Sequence, residues 1–177
     1  FNKKKADRYL ASAEKAYGWA DEHHSEGYER EGITYCSIEW KKALVWAASE
    51  LFKTTGKKEY NDAVMALADK KEDAFKAHWS QAYRVPFFQW AYASCSQPGT
   101  DEKLRTSLAQ AICKAADGII KSNEKRAYRM GSGRETGGWG SLVGGGYYGY
   151  ICLMAYMLTN EGKYLDAASL NADYQLG

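Results

Sequence analysis

The sequence predicts an all-α fold assembled from helical hairpins, as an α/α toroid or a partial segment of one. Three observations carry this. Apolar residues recur every three to four positions along most of the 177 residues, the period of an amphipathic helix. No stretch alternates apolar and polar residues for long, so there is little from which to build a sheet. One hairpin also occurs twice, as "ELFKTTGKKEYNDAV" at 50–64 and "YMLTNEGKYLDAAS" at 156–169. Each copy sets a Thr (Thr55, Thr159) five residues before a Tyr (Tyr60, Tyr164), with Asp-Ala following (Asp62-Ala63, Asp166-Ala167). The physics is one helix ending at Thr, a short Gly or Asn turn, and a second helix opening on a buried Tyr. The copies lie 104 residues apart, from Thr55 to Thr159, which leaves room for one or two intervening hairpins. An α/α barrel and a plain α-solenoid both fit that spacing.

The elements follow in order. "ADRYLASAEKAYGWADEH" puts Tyr9, Ala13, Ala16, Tyr17 and Ala20 on one stripe with charges opposite. "SIEWKKALVWAASELFKTTG" gives a broad apolar face of Ile38, Ala43, Leu44, Ala47, Leu51 and Phe52, stopped by Gly56. "KKEYNDAVMALADKKEDAFKA" reads as a third helix and "VPFFQWAYASC" as a fourth, with Pro86 in its first turn. "TDEKLRTSLAQAICKAADGIIKS" is a fifth, with a capping set at Thr100, Glu102 and Lys103. Residues 122–145 read as a long irregular loop, dense in glycine. Two last helices are expected at about 146–159 and 161–175.

Charge and composition exclude some classes. The net charge is +2, from 24 Lys and Arg against 22 Asp and Glu. "NKKKADR" at 2–8 is a solvated helix start, so no nucleic-acid patch is expected. The longest apolar run is too short to span a bilayer. No signal peptide is visible at Phe1, and a start without Met is compatible with a mature or truncated product. Cys36, Cys95, Cys113 and Cys152 sit in apolar helical patterns without zinc spacing and read as buried free thiols. They leave the compartment open. No cofactor or metal is expected. The aromatic content is high, with 6 Trp, 14 Tyr and 5 Phe; such side chains combine an apolar face with a polar tip and suit a surface that stacks on something amphipathic.

"LASAEKAYGWA", "WKKALVWAASELFKTTGKKEYNDAV" and "YRMGSG…GGWGSLVGGGYYGYICLMAYMLTNEGKYLDAASLNADYQLG" resemble, in this order, the later part of the catalytic domain of glycoside hydrolase family nine. Trp139-Gly140-Ser141, the "AASELFKTTGKKEY" hairpin and the end "LNADYQLG" are the most specific pieces. The resemblance covers most of the chain, weakly between 66 and 125. It implies a six-hairpin α/α barrel and a cellulase-like endoglucanase, or an exo-acting glucosaminidase. It also implies a secreted or periplasmic enzyme. The family's catalytic base lies in an Asp-Ala-Gly-Asp motif upstream of the matched region, and its catalytic acid is a Glu beyond an Asn-Pro loop. Neither is present here, and Asn123-Glu124 and Asn160-Glu161 do not resemble that acid. Residues 1–177 are therefore expected to be a single, incomplete segment of the barrel, with the remainder of the domain as partner and no catalytic residue of their own. Calcium is common in the family, but no acidic loop here reads as a complete site.

A sugar ring has an apolar face of C–H groups and a rim of hydroxyls, so its cleft needs flat aromatics beside hydrogen-bonding side chains. The glycine-rich stretch supplies both. Trp139 reads as a platform facing an open cleft, with Tyr147, Tyr148, Arg134 and Glu135 as hydroxyl partners; the alternative is that Trp139 plugs the barrel and the tyrosines pack between helices. The resemblance adds Trp79 to the cleft wall. Its neighbour His78 reads as a loop residue and His23-His24 as a cation at a helix C-terminus. Trp19, Trp40, Trp46 and Trp90 read as core. Asp62 and Asp166 repeat with the hairpin and read as first-turn residues near the positive helix end. The expected reaction is inverting hydrolysis of a β-1,4-linked glucan or glucosaminide. Two other readings stand beside it: another α/α-barrel sugar enzyme, such as a lyase or epimerase working through Tyr, His or Arg, and a non-catalytic helical-repeat binding module.

Overall fold

A computed structural model describes residues 2–23, 40–68, 87–126, 129, 131 and 141–176, with side chains from 146 to 173 in the last stretch. Every element among the described residues is a helix. They are α1 (Lys3–His23), α2 (Trp40–Thr55), α3 (Lys58–Leu67), α4 (Phe87–Ala93), α5 (Glu102–Glu124), α6 (Ser141–Thr159) and α7 (Gly162–Leu176). The chain divides into two compact units. One comprises residues 1–70 with 96–100, the other 71–95 with 101–177.

In the first unit α1 packs on α2 and α2 on α3. Leu44, Val45, Ala48, Leu51 and Phe52 form the buried face of α2 and meet Tyr60 and Val64 of α3 in the core. That face is turned slightly from the expected one, because Ala43 is exposed; Ile38 lies outside the described residues. On α1 no residue is fully buried. Tyr9, Ala13 and Ala16 of its expected stripe are exposed, and Tyr17 is half-buried, its ring edge-on to Tyr60 at 5.4 Å. Trp19 and Trp46, expected in the core, are 63% and 40% exposed. Trp19 stacks on His23 at 4.8 Å, and Trp46 donates to Glu50 at 3.3 Å. An indole that retains one wet edge and a flat stacking partner tolerates such a position.

Gly56 ends α2 as its sequence requires: it sits at φ +69°, where a Cβ is disfavoured, and its N–H returns to Phe52 O at 2.8 Å. The Asn160 turn does the same between α6 and α7, at φ +59°. Helix α3 ends at Leu67, where Ala68 is extended, ten residues before its expected limit; 69–86, including Pro86, lie outside the described residues. Helix α5 is capped by Asp101, not Thr100. The Asp101 carboxylate accepts from Leu104 N–H at 2.6 Å, while Thr100 donates its hydroxyl to Gln97 O at 2.7 Å. Asp101 wins because a charged acceptor at the positive helix end is the stronger cap.

The second unit holds the larger core. Ile112, Ala116 and Ile119 of α5, Ile151, Cys152, Met154 and Ala155 of α6, and Tyr164, Ala167 and Ala168 of α7 are buried together. The expected loop is shorter than its glycine content indicates, since α5 runs to Glu124 and α6 starts at Ser141. Glycine costs a helix about 1 kcal/mol against Ala, yet α6 forms across Gly144, Gly145, Gly146 and Gly149. Gly149 is buried, and a Cβ there would lie 3.7 Å from Ala168 O, an ordinary contact, so the position tolerates glycine without requiring it. Cys95 and Cys152 are buried and outside any disulfide, as expected, and Cys113 is half-buried. Burial pushes the Cys152 thiol up to about 12. Cys36 lies outside the described residues. Asp62 and Asp166 fall at the fifth residue of α3 and α7 and are exposed, a turn further in than expected. Asp62 pairs with Lys58 at 2.6 Å across i,i+4.

Candidate functional site

Three helices meet at Gly131, at the head of the glycine-rich stretch. Helix α5 closes with Ile119 and Asn123 on its buried side. The chain leaves through a turn in which Arg129, at φ +50°, donates its N–H to Arg126 O at 3.0 Å. Gly131 is then held from α7. Asn171, fully buried, donates Nδ2 to Ala167 O at 2.8 Å within its own helix. Its Oδ1 accepts the Gly131 N–H at 2.8 Å. Only glycine fits there, because a Cβ would stand 2.5 Å from Ile119 Cγ2, 3.2 Å from Asn171 Oδ1 and 3.3 Å from Tyr148 Cβ. Gly131 thus touches α5, α6 and α7 at once and fixes where the stretch begins.

Of the expected sugar contacts, the structure places Tyr147 and Tyr148. Both are half-buried at the N-terminal part of α6 and pack against the second unit's core. Tyr148 leans on the Gly131 anchor. Trp139, Arg134, Glu135, Trp79 and His78 lie outside the described residues. Sequence reading missed Gly131, Asn171 and Asn123. A signal existed for Asn171: it falls four residues after Ala167 on the buried stripe, where a polar residue must be bonded. Asn123 is also buried, and its side-chain amide has no hydrogen-bond partner among the described residues.

Several of the described carboxylates are held in ion pairs or hydrogen bonds. Glu14 meets Lys57 Nζ at 2.6 Å, and Glu102 meets Arg105 at 2.6 Å. Asp117 accepts from Tyr164 OH at 3.1 Å and from Lys163 Nζ at 3.2 Å. The Lys57 hydrogen bond holds the Glu14 carboxyl below its ordinary range. Hydrogen bonds to Glu161 and Asp117 raise Lys163. Burial, above all, pushes the Tyr164 phenol up to about 12. Glu14 and Asp117 hold hairpins and Glu102 pairs within its own helix, which is not the arrangement of two free carboxylates about 5–10 Å apart that glycoside hydrolysis uses. Among the described residues no group of three His, Cys, Asp or Glu is placed to hold a metal, and no helix is long and apolar enough to cross a membrane.

The family model for glycosyl hydrolase family 9 matches residues 1–177. The chain belongs to glycosyl hydrolase family 9. A curated relative, the xyloglucan-specific endo-beta-1,4-glucanase BoGH9A of Bacteroides ovatus, is 28% identical over 96% of this chain and 31% of its own length. The family 9 endoglucanase J30 matches in structure with a TM-score of 0.83 at 21% identity, over 98% of this chain and 33% of that one. A metagenome-derived family 9 endoglucanase matches with a TM-score of 0.79 at 26% identity, over 100% of this chain and 33% of that one. The chain therefore spans about a third of the length of these family 9 relatives. Its helices correspond to a partial segment of the family 9 α/α barrel.

Proposed function

We propose that this chain forms one wall of the sugar cleft of an enzyme that hydrolyses β-1,4-linked glucan, with the catalytic carboxylates supplied from outside these 177 residues. The observation that carries this is the family 9 match from the first residue to the last. Residues 1–177 are then one segment of the catalytic domain, and the rest of that domain is the partner. The enzyme works outside the cytoplasm, in the medium or the periplasm, where polysaccharide is met. Its reaction is inverting: one carboxylate activates water while a carboxylic acid protonates the leaving oxygen on the opposite side of the bond.

Within that wall, Trp139 and Trp79 are stacking platforms for the apolar ring face, and Arg134, Tyr147 and Tyr148 bind hydroxyls. The Gly131–Asn171 hydrogen bond supports the assignment, since it pins the start of the segment that carries Arg134 and Trp139.

The test is release of reducing ends from carboxymethylcellulose, mixed-linkage glucan, xyloglucan and chitosan by the gene product that carries this chain, with the anomer formed first read by NMR. Cleavage of a β-1,4-glucan to the α-anomer is expected, and failure on all the glucans sinks the proposal. Trp139→Ala should raise KM about tenfold, the equivalent of about 1.4 kcal/mol for one lost aromatic contact; an unchanged KM removes Trp139 from the cleft. The 177-residue chain alone should release no sugar, and hydrolysis by it would mean that it holds the carboxylates itself.

A further inference from the structure

Helix α6 has no charged residue from Ser141 to Thr159, yet the second unit covers only part of it. Ile151, Cys152, Met154 and Ala155 are buried against α5 and α7. On the other side Tyr150, Leu153 and Met157, at i, i+3 and i+7, are 55%, 39% and 69% exposed. That spacing makes one continuous apolar stripe. Helix α5 of the same unit behaves differently: its exposed positions are Glu102, Lys103, Thr106, Ser107, Gln110, Lys114, Lys121 and Glu124, apart from Gly118. A helix that is apolar all round is buried all round, whereas one with a polar outer face ends at solvent.

From this we infer that the Tyr150–Leu153–Met157 stripe is the docking face for a further helix of the same family 9 domain, from outside these 177 residues. The inference rests on the reading above that the domain extends beyond them. Chain length supports the choice of occupant. The whole chain matches 31% of one relative and 33% of another, so about two thirds of each of those chains lies outside the matched segment and can supply the helix. The stripe's chemistry supports it too. With no charge to pair, it fits an apolar helix face rather than a charged or polar partner, and α6 does not qualify as a membrane span.

Methionine oxidation in the folded, unaltered gene product tests this without any substrate. Met157 is the probe, and the buried Met154 on the same helix is the internal control. Expected is that peroxide oxidises Met157 at least about tenfold more slowly in the native protein than in urea, matching Met154. Met157 reacting at its unfolded rate would overturn the inference, because the face would then be open. Protection of Met157 that vanishes on dilution would overturn it as well, because the occupant would be a second copy. The outcome separates from that of the activity assay. An open Met157 in an active glucanase refutes this inference alone, and a protected Met157 in a protein without glucanase activity refutes the functional reading alone.

Discussion

The two hairpins, α2–α3 and α6–α7, reverse the chain with the same bonds and different residues. In each, the last Thr donates to the carbonyl four residues back (Thr55 to Leu51, 2.7 Å; Thr159 to Ala155, 2.9 Å). The same hydroxyl accepts the N–H two residues on, from Lys57 and Glu161, at 3.2 Å in both. A left-handed residue follows the Thr, glycine in one copy and asparagine in the other. The buried Tyr then reaches back to the helix before the hairpin, Tyr60 to Glu14 on α1 at 3.2 Å and Tyr164 to Asp117 on α5 at 3.1 Å. A lysine completes each lock, over the Tyr ring at 5.9 Å for Lys57 and 4.5 Å for Lys163. Yet Lys57 stands where the second copy has Glu161, and Lys163 where the first has Glu59. The geometry thus needs a tyrosine, an acid on the preceding helix and a cation on the ring, while the position of the cation is interchangeable.

The helices that carry the acids differ more. Helix α5 buries Leu104, Ile112, Ala116, Ile119 and Asn123; α1 buries nothing fully. Substitution should expose this as the largest effect. Ile112→Ala should cost about 2–5 kcal/mol, as expected for a core truncation. Leu10→Ala on the half-exposed face of α1 should cost under about 1 kcal/mol. Chemical unfolding of both variants measures this, and equal losses would break the contrast between the two units.

Within the second unit, two glycines sharpen the point. Gly131→Ala drives a Cβ into Ile119 and should cost about 1–3 kcal/mol by overpacking. Gly118→Ala meets nothing within 4 Å and lies inside α5, so it should stabilise by about 0.5–1 kcal/mol. The hairpin turns come next. Gly56→Ala should cost about 1–2 kcal/mol for a side chain at positive φ, whereas Asn160→Gly should move stability by no more than a few tenths. A large loss for Asn160→Gly in a thermal melt would show that the asparagine side chain has a bond of its own.

These particulars also mark what was legible in the sequence. The hairpin repeat, the Gly56 stop and the buried tyrosines follow from local chemistry, in which turn residues and apolar period agree. The start of α6 does not, because glycine's low helix propensity near 144–146 argues against the helix that in fact begins at Ser141. Trp19 and Trp46 misled for a related reason: size predicts burial on average, and position on the helix decides it. The Gly131–Asn171 anchor joins residues 40 positions apart. The spacing of the buried stripe marks Asn171 as needing a partner, but only the tertiary path of the chain names it.

The last effects are electrostatic: Glu14 of the first lock should fail at the acid end of the pH scale and Tyr164 of the second at the alkaline end. Glu14 is held below its ordinary 4.5 chiefly by the Lys57 hydrogen bond. A depressed carboxylate contributes stability that is present above about pH 4.5 and is lost as pH falls through the folded value. Tyr164 is raised from 10.0 to about 12, chiefly by burial. A raised phenol favours the protonated form in the fold, so its contribution is present below pH 10 and is lost between 10 and about 12. Glu14→Gln should therefore flatten the acid limb of a Tm-against-pH profile, and it should also change the alkaline limb through the lost pull of Glu14 on Lys57 and Tyr60. Tyr164→Phe should lower Tm at neutral pH through the lost bond to Asp117, about 0.5–1.5 kcal/mol, and flatten the alkaline limb instead. If Tyr164→Phe leaves the loss between pH 10 and 12 unchanged, that loss belongs to other groups that burial raises, chiefly the Cys152 thiol and Tyr60 of the first lock. Cys152→Ala and Tyr60→Phe, each added to Tyr164→Phe, would then show which of the two carries it.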